Sequence, residues 1–224
     1  MGAVADAEKT KAVSGEGVAG PDSGACGNPV LEAIRARRSV RSYAPVQVDE
    51  RALSLILEAG RCAPSGGNSR TTRFLVIQKP EVLRELRALA EREFARMEVS
   101  EDRYPSVNHS IRMAQKGGYD FFYGAPTLVS VSNLRGYGNA MADCAVALEN
   151  MMLAAVSLRV GSCWINQLRW LAENPAVKEY MGGLGMPENE VICGGLALGY
   201  PGGEDRRPPD LAAGGKGNPV VFIR

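Results

Sequence analysis

The segment Arg37-Arg38-Ser39-Val40-Arg41 brings three guanidinium groups and a hydroxyl together within five residues. A guanidinium keeps its charge at any physiological pH and offers its N–H donors in a fixed fork, which suits phosphate oxygens. The segment therefore predicts a cradle for an anion, most simply a ligand phosphate. Taken alone, it is more typical of a solvated helix end, where the helix dipole favours arginine, so the interpretation depends on the other motifs.

A glycine-rich loop, Ala63-Pro64-Ser65-Gly66-Gly67-Asn68, follows a predicted helix. Glycine reaches backbone conformations that other residues avoid, so N–H groups in such a loop can come close to a ligand. The side chains of Ser65 and Asn68 add donors and acceptors. The loop is a second candidate for ligand binding, although by itself it is more typical of an ordinary loop that ends a helix.

Two further stretches carry polar groups at the ends of predicted strands. Gly161-Ser162-Cys163-Trp164-Ile165-Asn166-Gln167 runs from a β-prone segment into a polar turn with a large aromatic side chain. Gly199-Tyr200-Pro201 follows another apolar run and precedes Arg206-Arg207, which could complete the anion cradle. The plainer alternatives are a core strand with one tryptophan and a solvated basic loop.

The composition favours a single domain that binds a small ligand. The chain has 224 residues and 45% hydrophobic content, enough for a sizeable core. Lys and Arg total 26 against 25 Asp and Glu, so a general attraction to nucleic acid or to an anionic membrane is not expected. We expect no segment that crosses a bilayer, which takes ~20 apolar residues.

Residues 1–28 lack an apolar run, so we expect a disordered leader rather than a secretory signal, followed by one domain at 29–224. The five cysteines are widely spaced without a CxxC pair, and His109 is the single histidine of the chain, which argues against a metal site. Reduced thiols suggest the cytoplasm.

Periodicity predicts an α+β fold in which helices cover a small mixed sheet. The predicted helices are 29–37, 49–61, 80–98 and 139–158, and the predicted strands are 72–78, 126–133, 162–166, 190–199 and 220–223. We expect residues 99–118 to form a mobile, irregular excursion with some helix near 107–122. The last strand would be an exposed edge unless it pairs with another sheet, most simply that of a second copy.

These motifs, in this order and spacing, together resemble the FMN-dependent nitroreductase family over residues 29–224. The Asp143-Cys144-Ala145 and Glu149-Asn150 pairs of the predicted 139–158 helix are part of the resemblance. It implies a three-layer α/β/α sandwich with a mainly antiparallel sheet, in a domain-swapped homodimer that binds FMN at its interface. It also implies that hydride passes from NADH or NADPH through flavin N5 to an electron-poor nitroaromatic, quinone or enone. The implied order is ping-pong, and no protein acid or base is needed.

The resemblance also assigns roles to residues of this chain. The implied contacts to the FMN phosphate and ribityl chain are Arg37, Arg38, Ser39 and Arg41, joined by Arg207 or its neighbour Arg206. The loop implied to reach the flavin from the other subunit holds Pro64, Ser65, Gly66 and Asn68. The backbone implied to lie beside the flavin ring belongs to Trp164, Ile165, Asn166 and Gln167, with the N–H donor to N5 at Asn166 or Gln167.

Some features depart from the family pattern or leave the reaction open. Arg70 stands where the family frequently has glutamine followed by an aromatic residue, and the region 99–122 matches no substrate-specific pattern. The alternatives are a flavin enzyme with another reaction, such as reductive dehalogenation or dehydrogenation, and a flavin-binding protein without turnover. A fourth alternative has no flavin at all.

Overall fold

The computed structural model of the chain describes residues 27–202 and 219–224. Its helices are α1 (Pro29–Ala36), α2 (Glu50–Arg61), α3 (Pro80–Ala95), α4 (Pro105–Lys116), α5 (Ala140–Ser157), α6 (Gln167–Trp170) and α7 (Pro175–Gly183). Its strands are β1 (Arg73–Ile77), β2 (Thr127–Leu134), β3 (Gly161–Ile165) and β4 (Glu190–Gly199). A single 3-10 turn lies at Gly66–Asn68.

The four strands form one sheet in the order β1-β2-β4-β3, and each neighbouring pair is antiparallel. The register places Phe74 opposite Val131 and Trp164 opposite Leu196. The parallel component of the predicted mixed sheet is one isolated bridge, between Ser39 and Ser162. The prediction of a small, mainly antiparallel sheet is confirmed.

Helices cover both faces of this sheet, which confirms the predicted three-layer α/β/α sandwich. Successive strand residues point to opposite faces. Leu128 therefore packs in the core beneath α3, α4 and α7, whereas Val129 packs in the core beneath α2 and α5. The exception is β1, in which Phe74, Leu75 and Val76 remain partly exposed.

Helix α5 is apolar on most of its surface, as its sequence predicts, and packs against α2, β2, β3 and β4. By length and composition it could also cross a membrane, contrary to the expectation of no such segment. Its residues Leu148 and Met151 are fully buried in the core between the sheet and α2. In this fold it is a core helix.

Local signals account for most helix ends. Asp49 caps α2, as predicted, because its Oδ1 accepts hydrogen bonds from the N–H groups of Arg51 (3.0 Å) and Ala52 (3.1 Å). The helix expected near 107–122 is confirmed as α4, which spans 105–116, so the excursion at 99–118 is more regular than expected. Pro105 begins this helix, and the buried Val107 and Ile111 hold it on the core.

The predicted strand at 220–223 does not form within the chain. Residues 219–224 lie outside any strand, and Val221 and Ile223 are 83% and 98% exposed. A β-strand needs a neighbour for its N–H and C=O groups, and none of the four described strands pairs with this segment. Pairing with a second copy, in a domain-swapped homodimer, remains a prediction.

Deletion of residues 219–224 should weaken the homodimer, because it removes an apolar segment that is exposed in the single chain. Sedimentation equilibrium of the truncated and full-length proteins measures the dissociation constant. Equal dimer stability in the two proteins, with FMN still bound, would contradict a swapped C-terminal segment.

Candidate functional site

Backbone hydrogen bonds attach the arginine-rich segment to the outer edge of β3. The Val40 N–H donates to the Ser162 carbonyl at 2.9 Å, beside the bridge between Ser39 and Ser162. The Tyr43 hydroxyl donates to the carbonyls of Val40 (2.7 Å) and Ala197 (3.3 Å). Since main-chain groups and the neutral Tyr43 hydroxyl make these bonds, the guanidinium groups of the segment are not needed to hold it.

Glycines in two of the sequence motifs make room for this attachment. A Cβ atom at Gly161 would lie 3.0 Å from the side chain of Val40, and one at Gly199 would lie 2.8 Å from the ring of Tyr43. A Cβ atom at Gly202 would lie 2.8 Å from the Tyr43 carbonyl carbon. These close approaches explain why the GSCWI and GYPG stretches begin or end with glycine.

The three arginines of the segment have different surroundings. Arg38 has its Nη1 bonded to the Arg37 carbonyl, while its Nε and Nη2 are buried without a hydrogen-bond partner among the described residues. Arg37 lies 3.8 Å from a Glu149 carboxylate oxygen, and the Arg41 guanidinium lies 5.8 Å from the centre of the Tyr123 ring. A buried cation without a partner is costly, so the Arg38 group is suited to an anion supplied by a ligand.

The buried thiol and phenol beside this segment are neutral groups. Burial raises the pKa of the Cys163 thiol, and the opposing charge of Arg41 and hydrogen bond of Ser39 do not reverse the shift. Burial likewise raises the pKa of Tyr43 far above its usual value, so its hydroxyl remains a donor. Cys163 is therefore a packed core residue rather than a reactive thiolate.

A cavity of about 730 Å³ opens beside Arg41 and the end of β3. Its walls are rich in aromatic side chains, namely Tyr104, Tyr119, Tyr123, Trp164 and Trp170. Tyr104 and Trp170 meet edge to face with their ring centres 6.1 Å apart. The cavity has the size and the flat apolar walls that a planar ring system needs.

The turn between β3 and α6 presents backbone and side-chain amides to this cavity. The Trp164 indole Nε1 donates to Asn166 Oδ1 at 3.0 Å, and the Asn166 N–H donates to Gln167 Oε1 at 3.1 Å. The Gln167 N–H has no acceptor among the residues that the structure describes. Of the two N–H donors that the sequence leaves open, Gln167 is therefore the one available to a ligand.

The glycine-rich loop lies on a second cavity, of about 790 Å³, which also contacts β1, α2 and α5. Two buried or half-buried side chains hold this loop. Asp143 Oδ1 accepts from the Gly66 N–H at 3.0 Å, and the Tyr137 hydroxyl lies 2.9 Å from the Gly66 carbonyl and 3.1 Å from Asp143 Oδ2. A Cβ atom at Gly66 would lie 2.6 Å from the Tyr137 hydroxyl, so glycine is required there.

The structure thus brings part of the predicted site together. Arg41 lines the first cavity together with residues 164–167, and the Ser39 bridge attaches the segment 37–41 beside that strand. Pro64 and Ser65 line the other cavity of the same chain. Arg206 and Arg207 lie outside the described residues, so their predicted part in the cradle stays a prediction.

Sequence reasoning does not identify Asp143, Tyr137, Tyr119 or Tyr123 as site residues. Asp143 belongs to one of the motifs that carry the resemblance, but its contact with Gly66 joins positions 77 residues apart. Tyr123 adopts a φ of +61°, which is unusual for a bulky residue. No local pattern signals that conformation except the following Gly124.

The sequence matches the family model described as the Nitroreductase family over residues 34–200. A protein of Archaeoglobus fulgidus, which has the provisional name NADH dehydrogenase/NAD(P)H nitroreductase, is 30% identical over 187 residues. That alignment covers 80% of this chain and 94% of the relative.

Solved structures give the same likeness. A nitroreductase with bound FMN from Bacteroides fragilis is 40% identical, with a TM-score of 0.77, over 88% of this chain and 100% of that one. A nitroreductase with bound FMN from Desulfitobacterium hafniense is 26% identical, with a TM-score of 0.72, over 88% of this chain and 99% of that one. These likenesses confirm the predicted fold class.

Asp143→Ala should loosen the glycine-rich loop, because the Gly66 N–H and the Tyr137 hydroxyl both lose a buried acceptor. The free energy of opening the loop should fall by ~1–3 kcal/mol. Hydrogen–deuterium exchange of residues 64–70 measures this opening free energy. Asp102→Ala, at an exposed position, is the matched control. Unchanged loop exchange in the Asp143 variant would show that the carboxylate does not hold the loop.

Proposed function

Because this chain belongs to the nitroreductase family, we propose that it passes hydride from NADH or NADPH to an electron-poor acceptor in a ping-pong mechanism. The proposed acceptor is a nitroaromatic, a quinone or an enone. The chain is an FMN-dependent NAD(P)H oxidoreductase, since its relatives bind FMN or are named for NAD(P)H. The proposal therefore concerns the acceptor, the order of the steps and the residues that serve them.

The observation that carries the proposal is that one short segment holds two buried Arg38 nitrogens, unpartnered among the described residues, and also Arg41, which lines an open aromatic cavity. A phosphate oxygen would supply the acceptors that these donors lack among the described residues. The residues present therefore fit FMN. We assign the phosphate and the ribityl chain to Arg37, Arg38, Ser39 and Arg41, and retain Arg206 and Arg207 as further partners.

The turn after β3 is the proposed contact to the flavin ring. Bound FMN supplies the redox chemistry, because its ring can take up a hydride and release it to an acceptor. We assign the ring contacts to Trp164, Ile165, Asn166 and Gln167, and the N–H donor at N5 to Gln167. The assignment of the N5 donor to Gln167 is supported by the Asn166 N–H, which is already bonded to Gln167 Oε1 and is therefore not available to the ring.

The glycine-rich loop is the proposed contribution of a second subunit. Pro64, Ser65, Gly66 and Asn68 would complete the cofactor site of the partner in a homodimer. The support is that Pro64 and Ser65 line a different cavity from Arg41 within one chain. The exposed apolar residues of the 219–224 segment also favour a partner surface.

The acceptor would stack in the aromatic cavity after the oxidised nicotinamide has left it. The carboxylate that lines this cavity belongs to Asp120, and it is occupied by the N–H groups of Phe122 and Gly124 and by Arg87 at 3.5 Å. His109 also lines the cavity, but the flavin supplies the chemistry of hydride transfer, so we assign no catalytic acid or base to the protein. One cavity that serves donor and acceptor in turn accounts for a ping-pong order.

We also propose a cytoplasmic location. Four cysteines in the described part of the chain, Cys62, Cys144, Cys163 and Cys193, are free thiols. Free thiols are typical of a reducing compartment.

Arg41→Ala and Arg38→Ala should each lower the affinity for FMN, because each removes charge-assisted hydrogen bonds to an anion. The expected loss is ~1.5–3 kcal/mol per substitution. Fluorescence titration of the FMN-free protein gives the dissociation constant. Arg35→Ala is the matched control, since Arg35 is an exposed arginine at the end of α1, outside the proposed cradle. Equal FMN affinity in all three variants would rule out the cradle.

Double-reciprocal plots of the initial rate should be parallel when NADH or NADPH and a quinone or nitroaromatic acceptor are varied. Parallel lines follow if the oxidised nicotinamide leaves before the acceptor enters the shared cavity. Stopped-flow reduction of the bound FMN by NAD(P)H without acceptor checks the first half-reaction independently. Intersecting lines, or no reduction in the absence of acceptor, would contradict the ping-pong order.

A further inference from the structure

A directed chain of hydrogen bonds runs along the wall of the aromatic cavity. Gln167 Nε2 donates to the Tyr119 hydroxyl at 3.1 Å, and Ser110 Oγ donates to the Ser106 carbonyl at 3.1 Å. The Tyr119 and Ser110 hydroxyls lie 2.7 Å apart. Since Ser110 gives its hydrogen to Ser106, Tyr119 must donate to Ser110. Every hydrogen bond in the chain is therefore donated in the same direction, from Gln167 toward α4.

The same chain fixes the backbone at its other end. Gln167 Oε1 accepts the Asn166 N–H at 3.1 Å, so the side-chain amide is held at both its oxygen and its nitrogen. An amide held at both ends cannot rotate without breaking two bonds. The Asn166 N–H is thereby occupied, and the next N–H along the backbone, that of Gln167, is left for a ligand.

Tyr119 is suited to anchor this amide. It is 8% exposed, and its ring meets that of Phe94 edge to face, with centres 6.2 Å apart. Its own N–H donates to a Glu91 carboxylate oxygen at 3.1 Å. Burial raises the pKa of Tyr119, so the hydroxyl stays protonated and keeps its direction in the chain. Because the ring and the hydroxyl proton are both held in place, the hydroxyl offers the Gln167 amide an acceptor at a constant position.

We infer that Tyr119 is a positioning residue that acts through Gln167, setting the 166–167 turn so that the Gln167 N–H meets the flavin ring. This inference rests on the proposed function, because it assumes that the turn lies against FMN. Tyr119 also lines the cavity, and its hydroxyl is occupied by Gln167 and Ser110, so its proposed effect is on the orientation of the turn. Its expected effect is on hydride transfer, whereas FMN affinity is assigned mainly to the arginines of the 37–41 segment.

The chain also links the turn to α4. Ser106 and Ser110 belong to this helix, and both line the cavity in which the acceptor would stack. A shift of α4 would pull on Tyr119 and, through it, on the amide that orients the turn. Acceptor binding and hydride transfer are therefore coupled through this polar chain, which is fully connected from Asn166 to Ser106.

Tyr119→Phe in the FMN-loaded protein tests the inference, because it removes the hydroxyl and keeps the ring. The rate constant for reduction of bound FMN by NAD(P)H should fall about tenfold, as expected when a reacting pair is misplaced. The FMN dissociation constant should stay within about twofold, because the arginine contacts are untouched. Amide exchange of Asn166, followed by NMR, should rise roughly fivefold, as for loss of one net hydrogen bond.

A double-mutant cycle with Gln167→Met shows whether Tyr119 acts through Gln167. The two substitutions should have non-additive effects on the reduction rate, since both break the same chain. Tyr180→Phe is the matched control, because it removes a hydroxyl that bonds to Glu85 at 2.9 Å on α3, outside the cavity. This control should change neither the reduction rate nor the Asn166 exchange.

The possible results separate this inference from the proposed function. Additive effects, or a Tyr119→Phe variant with unchanged reduction rate and unchanged Asn166 exchange, overturn the positioning role. A wild-type protein whose bound FMN is not reduced by NAD(P)H contradicts the proposed function itself. Equal losses of FMN affinity and of reduction rate in Tyr119→Phe would indicate general damage to the site and would also overturn the inference.

Discussion

The attachment of residues 39–43 to the edge of β3 is the contact on which the rest of the site depends. It uses main-chain groups of Val40 and Ser162 and the neutral hydroxyl of Tyr43. Three cations within five residues repel one another. If the guanidinium groups themselves held the segment in place, they would be bonded to internal partners and would not be available to a ligand. Here the backbone supplies the anchor, and glycines at 161 and 199 provide the space for it. The charged groups are left for a ligand.

This arrangement has an energetic cost in the absence of a ligand. The buried Arg38 nitrogens have lost water without gaining a partner among the described residues, and such desolvation opposes folding. An anion bound at this place offsets the desolvation cost, and it does so only in the folded state. Binding and folding are therefore linked. If FMN binds as proposed, a protein built in this way gains stability from its cofactor, because the cations that destabilise the empty site would favour the binding of a phosphate.

The parts of this structure that the sequence predicts are those with a local residue pattern. The long amphipathic helices and the four central strands follow from periodicity, and the residues of the arginine segment follow from their own chemistry. Helix α7 was not predicted, although Asn174 before Pro175 is a helix-start signal, because its apolar pattern is weak. Residues 220–223 have the composition of a strand, but a strand needs a neighbour that the described chain does not offer. The hold of Asp143 on Gly66 joins positions far apart in sequence, so no local pattern could reveal it.

Residues 99–118, expected to form a mobile excursion, are instead fixed at several points, which bears on how the proposed acceptor would be selected. Asn108 bonds to both the N–H and the carbonyl of Ser100, at 3.2 and 2.7 Å, and Gln115 donates to the Met97 carbonyl at 3.1 Å. With Ile111 fully buried beneath it, α4 cannot swing away without exposing core surface. If the acceptor stacks in the aromatic cavity as proposed, its selection depends on the shape and aromatic walls of a preformed cavity rather than on closure around each substrate. A helix held this firmly can also transmit small shifts through Tyr119 to the cofactor turn, because a rigid element moves as one body.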